Sequence, residues 1–258
     1  MNATTGPGAA ADDLTGTTAI VTGASRGFGR GVAAALAAAG AHVVGVARTG
    51  AGLDELRDEL GDTFTAVTAD AADPATASRL INEYPPRTLV LCAGTPPRMS
   101  PLSDQTWESF SQNWNVDVAQ AFHWIRYALQ RPLAPGSTVV AVSSGAAING
   151  SPLSGGYAGA KATVRFITGY AALESQRAGL GIEFVSVLPG LTPSTELGAK
   201  AVAAYAKRQG VGVEEFVQSM QPALTAEQVG KSVLEIATGQ LRDHRAYTLS
   251  AAGLSPLG

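Results

Sequence analysis

The sequence predicts an α/β fold: a doubly wound, seven-stranded, mainly parallel sheet with helices on both faces. Three observations predict it. Short β-prone runs alternate with longer Ala- and Leu-rich stretches, the rhythm of βαβ units. Runs such as VVGV and TLVLC are apolar almost throughout, as strands covered on both sides are. The first run passes straight into a glycine-rich turn and then a helix.

Taken in order, strand 19–21 (AIV) precedes an alanine-rich helix at 30–39, and strand 42–46 (HVVGV) precedes a helix at 53–60. Strand 64–67 (FTAV) leads to a helix at 74–84, and strand 88–91 (TLVL) to one long helix at 104–131. Along that helix Trp107, Phe110, Trp114, Val118, Ala121 and Ile125 step by three or four, a stripe expected in the core or at a subunit interface. Strand 138–142 (TVVAV) is followed by a helix at 155–177, and strand 182–188 (IEFVSVL) by a break in the rhythm. That break, 193–222, reads as an inserted lid, after which helix 226–237 and strand 247–249 (YTL) close the pattern. Residues 1–13 are small, polar and Gly/Pro-bearing and are expected to form a disordered tail, leaving 14–258 as a single domain.

Composition narrows the function classes. The chain has 258 residues, 45% of them apolar, and its 18 basic and 21 acidic residues leave a net charge of −3. Nucleic acid as the main partner is thereby excluded, because a phosphate-binding surface shows a basic excess. Cys92 stands alone and cannot form an internal disulfide, so a reducing, cytoplasmic location is expected. No apolar run is long enough to span a membrane, and residues 1–13 lack the basic and apolar regions of a signal peptide. His42, His123 and His244 have no ligand spacing, so no metal site is expected.

The turn Thr22-Gly23-Ala24-Ser25-Arg26-Gly27-Phe28-Gly29 carries the first chemistry. Its glycines allow a tight bend and let backbone N–H groups approach a pyrophosphate, to which the helix N-terminus adds partial positive charge. An acid about 20 residues further on would bind a ribose 2′-hydroxyl. The sequence there reads Val46-Ala47-Arg48-Thr49 instead. Ala47 leaves room and Arg48 can pair with a 2′-phosphate, so NADP(H) is expected over NAD(H).

Tyr157 and Lys161 stand four residues apart on a helix, hence on one face. An ammonium beside a phenol favours tyrosinate and pulls its acidity toward neutral pH, which suits general acid–base work. Ser144 lies just past the fifth strand, at the strand ends where ligands bind in such sheets. Its hydroxyl can stabilise charge developing on a carbonyl oxygen. Ser143 is its neighbour, and the spacing to Tyr157 favours Ser144.

The Gly-x-x-x-Gly-x-Gly turn, Ser144 followed after twelve residues by Tyr157-x-x-x-Lys161, and Pro189-Gly190 occur in that order. In this the chain resembles the short-chain dehydrogenase/reductase family, in its single-domain, Rossmann-type branch, over roughly residues 14 to 250. The resemblance implies reversible NADP(H)-dependent reduction of a ketone or aldehyde. Tyr157 would be the general acid/base, Ser144 would polarise the carbonyl oxygen, and Lys161 would hold the ribose and tune Tyr157. Asn115 would hold a water in a relay ending at Lys161, with Asn113 the second candidate. For the cofactor, the resemblance implies Gly23, Ser25, Arg26, Gly27, Phe28 and Gly29 in the turn. It adds Asp70 near the adenine, Ala93 and Gly94 against the cofactor, and Thr192 after Pro189-Gly190 on the nicotinamide carboxamide. Arg26 in that turn fits the family's NADP(H) pattern, and a homodimer or homotetramer is implied. One departure is Leu91-Cys92, where the family has Asn-Asn. The bracing those amides give to neighbouring strands must differ here, and Cys92 reads as a small core residue. The same departure points to a second reading, a dinucleotide-binding sensor or scaffold without turnover.

Overall fold

The structure is a computed structural model, and it describes residues 13–241 and 243–257. In chain order the elements are β1 (Thr18–Thr22), α1 (Gly27–Ala38), β2 (His42–Ala47), α2 (Ala51–Leu60), β3 (Phe64–Thr68), α3 (Pro74–Glu83) and β4 (Thr88–Leu91). Then come α4 (Trp107–Asn113), a π-helical turn (Trp114–Val118), α5 (Ala119–Gln130), β5 (Thr138–Val142), α6 (Ala146–Asn149), α7 (Gly155–Ala178) and β6 (Glu183–Pro189). The chain continues through α8 (Glu196–Gln209), α9 (Val213–Ser219), α10 (Ala226–Ala237), β7 (Ala246–Ser250) and β8 (Gly253–Pro256).

The strands form one sheet in the order β3-β2-β1-β4-β5-β6-β7-β8, parallel except for β8. The doubly wound parallel sheet is as the sequence predicts, with eight strands where seven were expected. The eighth, Gly253–Pro256, returns antiparallel along β7 as an edge strand. Its brevity, its exposure and its terminal Gly and Pro hide it from apolar patterning.

Alternation along the strands feeds two cores. Ala19 and Val21 of β1, Val140 and Val142 of β5, and Val185 and Val187 of β6 pack with α1, α2 and α10. Ile20, Leu89, Leu91, Val139, Ala141 and Phe184 face the other way, onto α3, α5 and α7. Both faces being apolar is why these strands read as continuous hydrophobic runs. On the first face, α1 and α10 approach until a β-carbon at Gly31 would collide with the Ala226 carbonyl. On the second, Trp124 of α5 is fully buried and its indole N–H donates to the Ala71 carbonyl at 2.9 Å.

One expected element is revised. The helix expected at 104–131 is α4 and α5 joined by the π-helical turn. The extra residue of that turn rotates everything beyond it against a 3.6-residue period. Trp107 is 78% exposed and Trp114 39% exposed, while Ala121 and Ile125 are buried and Gln120, Trp124 and Ala128 join them in the buried stripe. The stretch expected as a lid, 193–222, contains α8 and α9. The tail expected at 1–13 lies outside the described residues except for Asp13. Among the described residues no helix is long and apolar enough to cross a membrane.

Register places the site. Thr22, the last residue of β1, is level with Val46 of β2 and Leu91 of β4. Strand order reverses between β1 and β4, so a crevice opens at their carboxyl ends, where open α/β sheets bind ligands.

Candidate active site

The glycine turn leaves β1 with Gly23 and Gly27 at φ +71° and +55°, left-handed values that favour glycine. A β-carbon on Gly23 would stand 2.8 Å from the Ala93 backbone, so the turn and the loop after β4 are in contact. Gly29 is equally constrained, facing the Gly23 carbonyl. Arg26 precedes α1 and gives that helix no side-chain cap, which leaves its first amides for a ligand. Ser25 is half-buried beside Arg26, and Phe28 packs against the core, anchoring the turn. A narrow backbone cradle next to uncapped helix amides fits the pyrophosphate of a dinucleotide.

The loop after β4 is braced without the family's two amides. The Thr22 hydroxyl accepts the N–H groups of Cys92 (3.0 Å) and Ala93 (3.2 Å) and donates to Gln120 Oε1 at 2.6 Å. Gln120 in turn donates from Nε2 to the Ala93 carbonyl. Asp117 Oδ2 accepts the Thr95 N–H at 3.1 Å, and Asn113 donates to the Thr95 carbonyl at 2.6 Å. Burial pushes the Cys92 thiol up to about 11, leaving it a protonated, unreactive packing group.

On the opposite wall, α7 presents Tyr157 and Lys161 one turn apart, with Lys161 Nζ 5.7 Å from the Tyr157 ring centroid. Gly156 lets α7 lie directly on α4, because a β-carbon there would overlap the Phe110 carbonyl. The Lys161 ammonium is buried, donates to the Val142 carbonyl at 3.1 Å and stands 3.0 Å from Asp117 Oδ1. Ser143 is committed to structure, its hydroxyl donating to the Lys161 carbonyl at 2.7 Å. Ser144 accepts the Ala146 N–H at 3.2 Å and is a hydrogen-bond partner that favours the Tyr157 phenolate. Burial nevertheless dominates and holds the Tyr157 phenol above its ordinary 10.0, against Lys161 and Ser144, which pull it down. The lysine's pull toward neutral pH is therefore outweighed. At neutral pH the phenol is protonated, the form that can give a proton.

Other expected residues divide. Pro189 ends β6 and Gly190 follows it, tied to the loop after β5 and to β7 by Gly145 N–H to Pro189 O (2.8 Å) and Gly190 N–H to Leu249 O (2.9 Å). Thr192 is buried, and its hydroxyl donates to the Leu224 carbonyl at 2.6 Å, joining both ends of the 193–222 segment. Asp70 is exposed and its Oδ1 accepts the Ala72 N–H at 2.9 Å, bracing a turn. Arg48 is exposed just past the end of β2, in no ion pair among the described residues. Arg26 is also exposed and pairs with Glu196 of α8.

Asn115 is not brought to the others: it is exposed on the π-helical turn. The side chain that faces Lys161 is Asp117, two residues on and buried. Asp117, Gln120 and Thr22 are the site residues that sequence reasoning missed. A carboxylate and an amide three residues apart amid apolar neighbours were the signal that could have revealed the first two.

Comparison with known proteins follows the same lines. Residues 17–206 match the sequence profile of the family described as short chain dehydrogenase. An L-xylulose reductase of Mesocricetus auratus is 32% identical over 163 residues, 62% of this chain and 66% of that protein, just under two thirds of its length. The L-xylulose reductase of Bos taurus is 31% identical over 183 residues, covering 70% of this chain and 74% of the other. A 2,5-dichloro-2,5-cyclohexadiene-1,4-diol dehydrogenase of Sphingobium indicum is 26% identical over 229 residues, 81% and 84% of the two chains. Among solved structures, the 3-ketoacyl-(acyl-carrier-protein) reductase of Brucella melitensis, complexed with NADH, superposes with a TM-score of 0.73 at 24% identity. That match covers 88% of this chain and 93% of the other, and it shows the shared fold.

Proposed function

We propose a specific reaction on one premise: this chain belongs to the short-chain dehydrogenase/reductase family and is an NAD(P)-dependent oxidoreductase. The reaction is reduction of a ketone or aldehyde to an alcohol, reversible, with NADP(H) preferred over NAD(H). The observation that carries it is the convergence of Ser144, Tyr157 and Lys161 at the strand ends facing the glycine turn. The names of the relatives support it, two being L-xylulose reductases and one a diol dehydrogenase.

A bound nicotinamide cofactor supplies the hydride. Gly23, Gly27, Gly29 and the first amides of α1 hold its pyrophosphate, with Ser25, Phe28, Ala93 and Gly94 forming the surrounding walls. Ser144 donates a hydrogen bond to the substrate oxygen, and Tyr157 gives that oxygen its proton. Lys161 keeps positive charge beside the phenol, which favours proton release as negative charge appears on the oxygen. With its phenol held above 10.0, Tyr157 is poised as an acid at neutral pH, and alcohol oxidation, which needs phenolate, gains as pH rises. The Leu91-Cys92 departure no longer argues for a scaffold without turnover, since Thr22, Gln120 and Asp117 supply the bracing.

Arg48 carries the cofactor preference, its guanidinium exposed beside the point where an adenosine ribose would end. Pro189, Gly190 and Thr192 close the nicotinamide end, and Asp70 the adenine end. The 193–222 segment serves as a lid on a single domain, and the chain works as a cytoplasmic homodimer or homotetramer. The reading is tested by titrating NADPH and NADH and then assaying 2,3-butanedione, cyclohexanone, benzaldehyde and a ketose. Arg48→Ala is expected to weaken NADPH about tenfold while NADH stays within about twofold. Equal losses for both cofactors, or no turnover of any carbonyl, would count against it.

A further inference from the structure

We propose that Asp117 is a positioning residue for the proton chemistry of Tyr157. Its buried carboxylate holds the Lys161 ammonium in place and offsets its charge, and so sets the pH at which the site gives up its proton. The proposal rests on the reading of Tyr157 as proton donor.

The pair is built into the fold. The Asp117 and Lys161 side chains are 1% and 7% exposed, and Oδ1 lies 3.0 Å from Nζ. Among the described residues Oδ1 accepts no well-aligned hydrogen bond, and the Lys161 ammonium is the charge it faces. Oδ2 is fixed from two sides, by the Thr95 N–H at 3.1 Å and by Asn113 Nδ2 at 3.3 Å. The loop after β4 is cut to fit, since a β-carbon on Gly94 would come within 2.8 Å of Oδ1. The π-helical turn buries Asp117 while leaving Asn115 exposed.

The groups around the pair are few. From α7 come Lys161 and Tyr157, and from the loop after β4 comes Cys92, protonated with its thiol near 11. The end of β5 contributes only the Val142 carbonyl and the neutral Ser143 and Ser144. Asp117 is thus the carboxylate acting on both partners among the described residues. Burial works to strip the Lys161 proton, and the Asp117 carboxylate leads the interactions, with Tyr157 and Cys92, that together outweigh burial and retain it. The same charge raises Tyr157, against the lysine.

Asp117→Asn removes the charge at nearly constant shape, and its two consequences share a sign. The buried ammonium then loses its proton at lower pH. While it remains charged, its undiminished field favours phenolate at lower pH as well. Reduction needs the protonated site, so its alkaline limb must move down.

The test is the pH profile of kcat/KM for reduction of 2,3-butanedione, or of the fastest carbonyl in the panel above, for wild type, D117N, D117E and Y157F. In D117N the alkaline limb is expected about one pH unit or more below wild type. D117E, which keeps the charge, is expected to hold the wild-type limb. A D117N profile that is merely lower at every pH, or a D117E limb displaced as far as that of D117N, overturns the proposal. Because breaking a buried ion pair destabilises a fold, circular dichroism accompanies each variant, and Asp117→Ser replaces D117N if the latter is unfolded. Undiminished turnover by Y157F, or none by wild type, sinks the reading of Tyr157 and this proposal with it. Loss of turnover in Y157F with an unmoved D117N limb sinks this proposal alone.

Discussion

Tyr157→Phe is expected to lower kcat for carbonyl reduction on the order of 10³-fold, the usual worth of a positioned general acid. Cofactor affinity is expected to change by less than about threefold, since the glycine turn and the α1 amides are untouched. The substitution removes one oxygen and leaves the ring that lies 5.7 Å from Lys161 Nζ. Ser144 keeps its bond from the Ala146 N–H, so the wall of the site remains in place. A loss confined to kcat would mark a contact made in the transition state, whereas a rise in KM alone would mark ordinary binding. Single-turnover oxidation of NADPH, with cofactor binding followed by fluorescence, separates the two.

The largest effect on stability is expected from Trp124→Ala, about 3–5 kcal/mol, seen as a fall in Tm on the order of 10 °C. Trp124 heads the fully buried side chains and fills the space between α5, α3 and the sheet. Removing it opens a cavity and also strips the Ala71 carbonyl of its indole donor. Trp107→Ala is the matched control, expected within about 0.5 kcal/mol because that ring is 78% exposed. Thermal unfolding of the two variants therefore tests which face of the 104–131 region is core.

That contrast shows where the sequence stops being legible. Glycine turn, strand runs and the Tyr157–Lys161 pair are local patterns, and each falls where its own spacing places it. The helical stripe from Trp107 to Ile125 is local too, but it assumes one unbroken period. The helix is interrupted by one π-helical turn; Trp107 and Trp114 lie outside the core of this chain, Ala121 and Ile125 lie inside it, and Gln120 and Trp124 join them. No intrinsic preference of Trp114–Val118 announces that turn, which is set by packing against α7 and the loop after β4. Asn115 and Asp117, two residues apart, point to opposite sides of the helix, and counting along the chain cannot tell which of the two is turned inward. The helices of the inserted segment were closer to legible. Thr195 caps α8 through the Gly198 N–H at 3.0 Å, and Gly210 ends it in the left-handed region. Strand β8 depends on pairing with β7 and carries no alternation of its own to find.

The position of Asp117 also changes how the proton chemistry is understood. A lysine beside a tyrosine suggests a strongly acidic phenol, and in this fold burial and a carboxylate reverse that sign.

The most direct measurement of carbonyl reduction by this site is mass spectrometry of the alcohol formed with NADPH carrying deuterium at both C4 positions of its nicotinamide. One deuterium on the carbinol carbon is expected from the wild-type protein, and almost no alcohol from Tyr157→Phe at the same protein concentration. An alcohol free of deuterium, or labelled alcohol formed undiminished by the phenylalanine variant, would contradict hydride transfer with Tyr157 as the proton donor.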